Sequence, residues 1–424
     1  MTGCDPESGG HESGTPESAF PHPRSAIDSG LSAVGEPPLF SPSARQNPPL
    51  VLVSGLRSVG KSSLVCALWG DSELLPTAEQ DCTQVNTLIR EPARGEEDRG
   101  VRRTFLPRAR ALEFATRDLA YHRLAVFLGE TLGPLAPNLD ALPPGERLRR
   151  AVDGLRELFA RRKDLLVLHD HLNDDADRVE EFLAFVASSE YREGQTVPAG
   201  WEQRRELLMG QRRPDGRPIG TGRMLAVARV ELLRHSPAWT AQPVRLMDSP
   251  WVPSFHNARR AELLIEEARQ ARAMVIVARA APYRLEDWAS RFLAERRDLA
   301  ARTLVVFNQV DTIDLNRLFA RDGFADTFAD NARHLKSAGI LPENLLVACT
   351  RLPFLERSAS AAQHADRLAK LREVLASIRR RVESAPRDAA SALKPKLLRA
   401  TDADGGLEEV RGRLMELLRD TGVR

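Results

Sequence analysis

The run Gly55-Leu56-Arg57-Ser58-Val59-Gly60-Lys61-Ser62 constrains this chain more than any other stretch. It satisfies G-x-x-x-x-G-K-[ST] at every fixed position. Such a loop needs glycines because the backbone must wrap an anion with its N–H groups facing inward. It needs a lysine as a point charge and a hydroxyl as a metal ligand. The context agrees. Pro49–Gly55 carries the apolar run Leu50-Val51-Leu52-Val53, of strand length, and Lys61–Gly70 has helical character. Strand, glycine loop and helix in that order open an α/β nucleotide-binding fold, and the helix N-terminus favours phosphate. The expected phosphate contacts are Gly55, Ser58, Val59, Gly60, Lys61, Ser62 and Ser63. Lys61 would meet the β/γ-phosphates, and Ser62 would hold Mg²⁺.

Buried strands recur downstream, at Val244–Asp248, Ala273–Ala278, Thr303–Asn308 and Asn344–Cys349. Helical stretches separate them: Ala258–Arg272, Leu285–Ala300 and about Leu315–Ser337. This alternation predicts an α/β, mainly parallel sheet with helices on both faces. Gly405-Gly406 opens a last helix, Leu407–Leu418, with Leu407, Val410, Leu414 and Leu418 on one face. The stretch from about 91 to 222 breaks the rhythm. Arg108–Leu128, Gly145–Arg162 and Asp177–Ser189 are helical in pattern, and only Asp164–Leu168 resembles a strand. A helical insertion at about 91–222 is expected, and a second helical excursion at Leu355–Glu383. Residues 1–47, rich in Pro, Gly, Ser and Glu, bury too little surface to offset ordering entropy and are expected to be a disordered tail before a domain at 48–424.

Composition narrows the function classes. Sixty-one basic residues against 59 acidic ones leave a net charge of +2, so no long-range field attracts nucleic acid. Cys4, Cys66, Cys82 and Cys349 lack metal or redox spacing, which points to a reducing, cytoplasmic setting. No apolar run approaches the ~20 residues of a membrane span. Membrane contact would be peripheral.

Two strand ends carry further chemistry. Asp248 can hold Mg²⁺ through water, or cap the turn before Pro250. Asn308-Gln309-Val310-Asp311 can recognise guanine. Asp311 would accept from the ring N–H and the exocyclic amine, and adenine would leave polar groups unpaired. The alternative is an ordinary Asx turn. Arg57 is either an arginine finger, acting within one chain or across a dimer, or a solvated side chain. His169-Asp170-His171, with Asp174 and Asp175, has metal-like composition but no fixed third ligand. Arg102, Arg103, Arg108 and Arg110 form one basic cluster. Arg204, Arg205, Arg212, Arg213 and Arg217 form another. Either can face anionic lipid or a protein effector, or be solvated helix surface. The helix bearing Leu112, Phe114, Leu119, Leu124 and Phe127 is expected to pack on the α/β domain.

Lys61-Ser62-Ser63-Leu64-Val65-Cys66-Ala67-Leu68-Trp69-Gly70, followed by Leu75-Pro76-Thr77 and Thr83, resembles the dynamin superfamily of large GTPases, especially its bacterial members. The resemblance covers about 49–90 and 225–420 and implies a P-loop NTPase G domain. It implies that Thr83 is the switch threonine, a Mg²⁺ ligand that helps place the attacking water. Asp248-Ser249-Pro250-Trp251 falls where that family has Asp-x-Pro-Gly. Asn308–Asp311 falls at its guanine motif, and Val347-Ala348-Cys349-Thr350 at the strand end that backs the base. Gly406-Leu407-Glu408-Glu409 resembles the start of its last G-domain helix. The resemblance implies GTP and GDP as ligands, Mg²⁺ as cofactor and a nucleotide-dependent homodimer through the G domain. Trp251 stands where the family has glycine, Gln309 where it has lysine, and Cys349-Thr350 where it has Ser-Ala. These differences keep a nucleotide-binding scaffold with little hydrolysis open as a second reading. A P-loop ATPase is a third.

Overall fold

The computed structural model describes residues 48–55, 58–76, 85–118, 146, 150, 178–209, 211–212, 218–219, 221–240, 242–250, 266–280, 293, 297–358, 364–386 and 391–420. Its strands, in chain order, are β1 Leu50–Gly55, β2 Asn86–Arg90, β3 Gly100–Phe105, β4 Thr196–Ala199, β5 Gln211–Arg212, β6 Pro218–Ile219, β7 Val227–Leu233, β8 Arg245–Asp248, β9 Ala273–Arg279, β10 Thr303–Asn308 and β11 Leu345–Val347. Nine of the described strands form one sheet in the order β11-β10-β9-β1-β8-β2-β7-β3-β4, while β5 and β6 make a small hairpin. The half from β11 to β8 is parallel throughout. Antiparallel pairs enter where β2 meets β8 and where β3 meets β7 and β4. The α/β, mainly parallel architecture expected from the alternation is present.

The parallel half explains why its strands were easy to find. Every residue of β1 and β10 is buried. Successive side chains on a strand point to opposite faces, so both faces of these strands must be covered. Leu50 and Leu52 join one cluster with Met274, Ile276, Val305 and Phe307. Phe324 and Phe328 of the helix Phe324–Ser337, and Leu371 and Leu375 of the helix Ala365–Ser384, cap that cluster. Phe307 meets Phe324 edge-on and Phe328 at a tilt, with centroids 6.1 and 5.2 Å away. The helix α1, Lys61–Trp69, contacts β1 and β8. It stops at Gly70, whose φ of 87° continues into a turn closed by Gly70 N–H to the Cys66 carbonyl at 2.9 Å.

The segment 91–222 departs from the expected helical insertion. It contributes β3 and β4 to the main sheet, beside β2 and β7, which the hydrophobic pattern also did not mark. β3 buries only Val101 and Phe105 of its six residues. Such a half-polar strand has no apolar run to detect. Backbone ladders to β7 and β4 hold it, and Arg102 on its exposed side pairs with Glu96 at 2.7 Å. The helical part survives in the helix α2, Arg108–Asp118, and in 178–187. Ala111 and Ala115 are the buried face of α2. Gly145–Arg162, as a segment, and Asp164–Leu168 lie outside the described residues, as does the tail 1–47. The excursion Leu355–Glu383 resolves into Arg351–Arg357 and Ala365–Ser384.

Glu267, in the short helical stretch 266–270, is 1% exposed. Arg229 on β7 lies 3.8 Å from its carboxylate. Burial raises its carboxyl to about 7, with Glu266 adding to the rise and Arg229 and Arg245 opposing it. The folded chain therefore holds this proton more tightly than the unfolded chain. The associated stability is complete below the ordinary carboxyl range of about 4.3 and is lost as pH rises through about 7. Glu267→Gln should shrink the fall in Tm between pH 5.5 and pH 8. Thermal unfolding of both proteins at the two pH values checks this, and an equal fall in both contradicts it.

Candidate functional site

The carboxyl-terminal ends of β1, β8, β9, β10 and β11 lie along one edge, since these strands run parallel. In an open α/β sheet the crevice beyond such an edge is where ligands bind. The loop after β1 is shaped for close approach. Gly55 has φ 146°, and a Cβ there would lie 2.1 Å from the Val277 carbonyl oxygen of β9. Gly60 has φ 86°, and its Cβ would lie 2.4 Å from the Asn308 amide nitrogen. Both positions therefore need glycine for space as well as for backbone conformation. Ser58 also adopts positive φ, at 56°. Lys61 is buried at the first turn of α1, with Ser62 and Ser63 following it.

The structure brings Ser62 and Asp248 together. The Ser62 hydroxyl donates to Asp248 Oδ2 at 2.7 Å, across 186 residues of sequence. Asp248 is fully buried at the end of β8. Next to it, Ser249 donates both N–H and hydroxyl to the Val53 carbonyl, at 3.1 and 3.0 Å, and so docks the outgoing chain on β1. A hydroxyl and a carboxylate in contact at a strand edge suit a hard divalent cation such as Mg²⁺, which takes oxygen ligands and keeps several waters.

Asn308, Gln309, Asp311, Cys349 and Thr350 also converge. The Asn308 amide donates to the Val59 carbonyl at 2.9 Å. Its oxygen accepts from the Thr350 N–H and hydroxyl, both at 3.1 Å. Gln309, at φ 64°, donates its amide to the Ser58 carbonyl at 2.6 Å. The last side chain of β10 and the one after it thus grip two consecutive carbonyls of the glycine loop. The Cys349 thiol points at Asp311 Oδ1, 3.6 Å away. Burial, then the charge of Asp311, push this thiol up to about 12, so it stays protonated and donates. Cys349 N–H also bonds the Gly405 carbonyl at 2.9 Å, tying this corner to the turn before the helix Leu407–Asp420.

Arg57 and Thr83 lie outside the described residues, as do Trp251 and the His169–His171 group. Among the described residues no group of three or more His, Cys, Asp or Glu is placed to hold a metal ion. None of the described helices is long and apolar enough to cross a membrane. Each arginine of the first basic cluster has a contact within the fold. Arg102 pairs with Glu96, Arg103 lies over Phe105 at 4.8 Å, Arg108 donates to the Val186 carbonyl at 2.6 Å, and Arg110 pairs with Glu266. In the second cluster Arg204 lies over Trp201 at 4.6 Å and Arg205 is exposed. Arg351 was not marked by the sequence. Its Nη1 lies 3.3 Å from Asp311 Oδ2. An arginine one residue past Thr350 is the only sequence signal for it.

Asn308→Ala should cost about 2–4 kcal/mol, since it leaves the buried Val59 carbonyl and Thr350 N–H without their shared partner. Urea unfolding checks this, and a change below about 0.5 kcal/mol would contradict the bridging role.

A scan of the sequence against protein-family models matches none, and a search of curated proteins finds no match. Among solved structures, the chain is similar to one described as an oligomerised bacterial dynamin pair, associated with long-range sensing and tethering of membranes. The TM-score is 0.45 at 12% identity, over 88% of this chain and 50% of that one. The chain thus spans about half the length of that structure.

Proposed function

We propose that this chain binds GTP with Mg²⁺ at the edge formed by β1, β8 and β10, as a nucleotide-dependent switch or assembly module of dynamin-like type. The observation that carries this reading is the 2.7 Å bond between Ser62 and Asp248, made beside a glycine loop with the full phosphate-binding pattern. In the proposed complex the loop amides and Lys61 hold the phosphates, and Ser62 and Asp248 orient the Mg²⁺ shell. Asp311 accepts from the guanine edge, while Asn308 holds loop and base pocket in register. Thr83 completes the metal site, and Arg57 is a candidate for charge stabilisation. Hydrolysis would be in-line attack of water on the γ-phosphate, with Lys61 and Mg²⁺ neutralising the charge that develops. A homodimer joined through this face is the proposed assembly, with 91–222 as the candidate contact to an effector or a membrane surface.

The second reading is a scaffold that binds nucleotide with little turnover. Gln309 favours it, because this residue offers the loop a neutral amide rather than a cation. Single-turnover phosphate release decides between the two. Release faster than that of Lys61→Ala supports the enzyme, and equal rates support the scaffold.

Titration of GTP and ATP tests the binding proposal directly. Wild type should prefer GTP, and Lys61→Ala should weaken GTP binding by at least about tenfold. Asp311→Asn should shift preference from GTP toward XTP. Tighter binding of ATP than of GTP by the wild type overturns the guanine assignment.

A further inference from the structure

The contacts of Asp311 bear on how a base would reach it. Its side chain is 7% exposed, and both carboxylate oxygens already face donors. Cys349 lies on the buried side, 3.6 Å from Oδ1. Arg351, the first residue of the helix Arg351–Arg357, lies 3.3 Å from Oδ2 and is 55% exposed. One wall of the carboxylate is therefore a fixed neutral donor, and the other is a cation that reaches in from water.

A carboxylate this enclosed is costly without a donor or counter-charge, because it has lost most of its hydration. Arg351 supplies the counter-charge when no base is bound. A guanine edge brings two N–H donors to the same carboxylate, and with that side chain only 7% exposed the guanidinium covers the water-facing approach they must use. Guanine and Arg351 are competitors for Oδ2. Adenine has no N–H at the ring position and no 2-amine, so it cannot replace the guanidinium donor for donor. The Arg351 side chain can swing into solvent, since more than half of it is already exposed.

We infer that Arg351 is a latch on the base site: it neutralises Asp311 in the empty protein and must be displaced by an incoming guanine. The inference rests on the guanine reading of Asp311 proposed above. The latch lowers the intrinsic affinity for guanine nucleotides, because part of the base's binding energy goes into breaking the ion pair. It also leaves the phosphate end of the site untouched.

The test uses the full-length protein, wild type and Arg351→Ala, titrated with GDP, ADP and inorganic tripolyphosphate. The variant should bind GDP about three- to fivefold more tightly, with ADP and tripolyphosphate unchanged. Arg351→Lys, which keeps the charge without the guanidinium fork, should fall between the two. Unchanged or weaker GDP binding in Arg351→Ala overturns the latch, the weaker result making Arg351 a support for the base. An equal gain for GDP and tripolyphosphate also overturns it, because the effect would lie at the phosphate end. Wild-type protein that binds neither tripolyphosphate nor GDP removes the nucleotide reading itself. Wild-type protein that binds tripolyphosphate but shows no preference of GDP over ADP removes the guanine assignment alone. In both cases the latch falls with it.

Discussion

The buried amide of Asn308 sits at the end of β10 with three partners from two other parts of the chain. It donates to the Val59 carbonyl in the glycine loop and accepts from the N–H and hydroxyl of Thr350 beyond β11. In the loop after β1, Ser58 and Gly60 adopt positive φ. Its shape is set by what grips it. Asn308 and Gln309 grip it from one side, at Val59 and Ser58. Ser62, bonded to Asp248, grips it from the other. The close approach at Gly60 makes the arrangement mutual, since any side chain there would displace the Asn308 amide. Packed glycine, bridging amide and parallel strands together bring residues 55, 62, 248, 308 and 349 to one edge.

The rest of the fold braces this edge. Arg357, at the end of the helix Arg351–Arg357, donates to the Ala67 carbonyl of α1 at 3.3 Å, and its own carbonyl accepts from Ser72 at 2.9 Å. Arg234 after β7 joins Asp71 and Asp98 at 2.7 and 2.6 Å, which ties the end of α1 to the β2–β3 connection. Arg110 of α2 pairs with Glu266, and Glu267 faces Arg229 of β7. The stretch 266–270 thus faces α2 and β7 while it leads into β9 of the parallel half.

What could be read from the sequence follows the physics of burial. β1, β9 and β10 are covered on both faces, so they appear as apolar runs and were placed to within a residue. The glycine loop was legible because its constraints are local. Asp248 and Asn308 were legible because they end apolar runs. The second half of the sheet was not. β3 separates Val101 and Phe105 by two arginines and a threonine, and it is held by ladders to β7 and β4, which no local pattern reveals. The helix expected from Leu315 begins only at Phe324. A Cβ at Gly323 would lie 1.7 Å from the Arg317 carbonyl, so the chain turns tightly there before the helix can start. Arg351 was missed for a similar reason, since its partner lies 40 residues away.

The central claim is that Ser62 and Asp248, brought together by folding, form the metal-facing part of a nucleotide site. Calorimetric titration of a slowly hydrolysed GTP analogue, with Mg²⁺ and with EDTA, tests it most directly. Wild type should bind at least about tenfold more tightly with Mg²⁺, and Ser62→Ala and Asp248→Asn should each lose most of that difference while still binding in EDTA. A Mg²⁺ effect of the same size in Ser62→Ala and wild type would contradict the account.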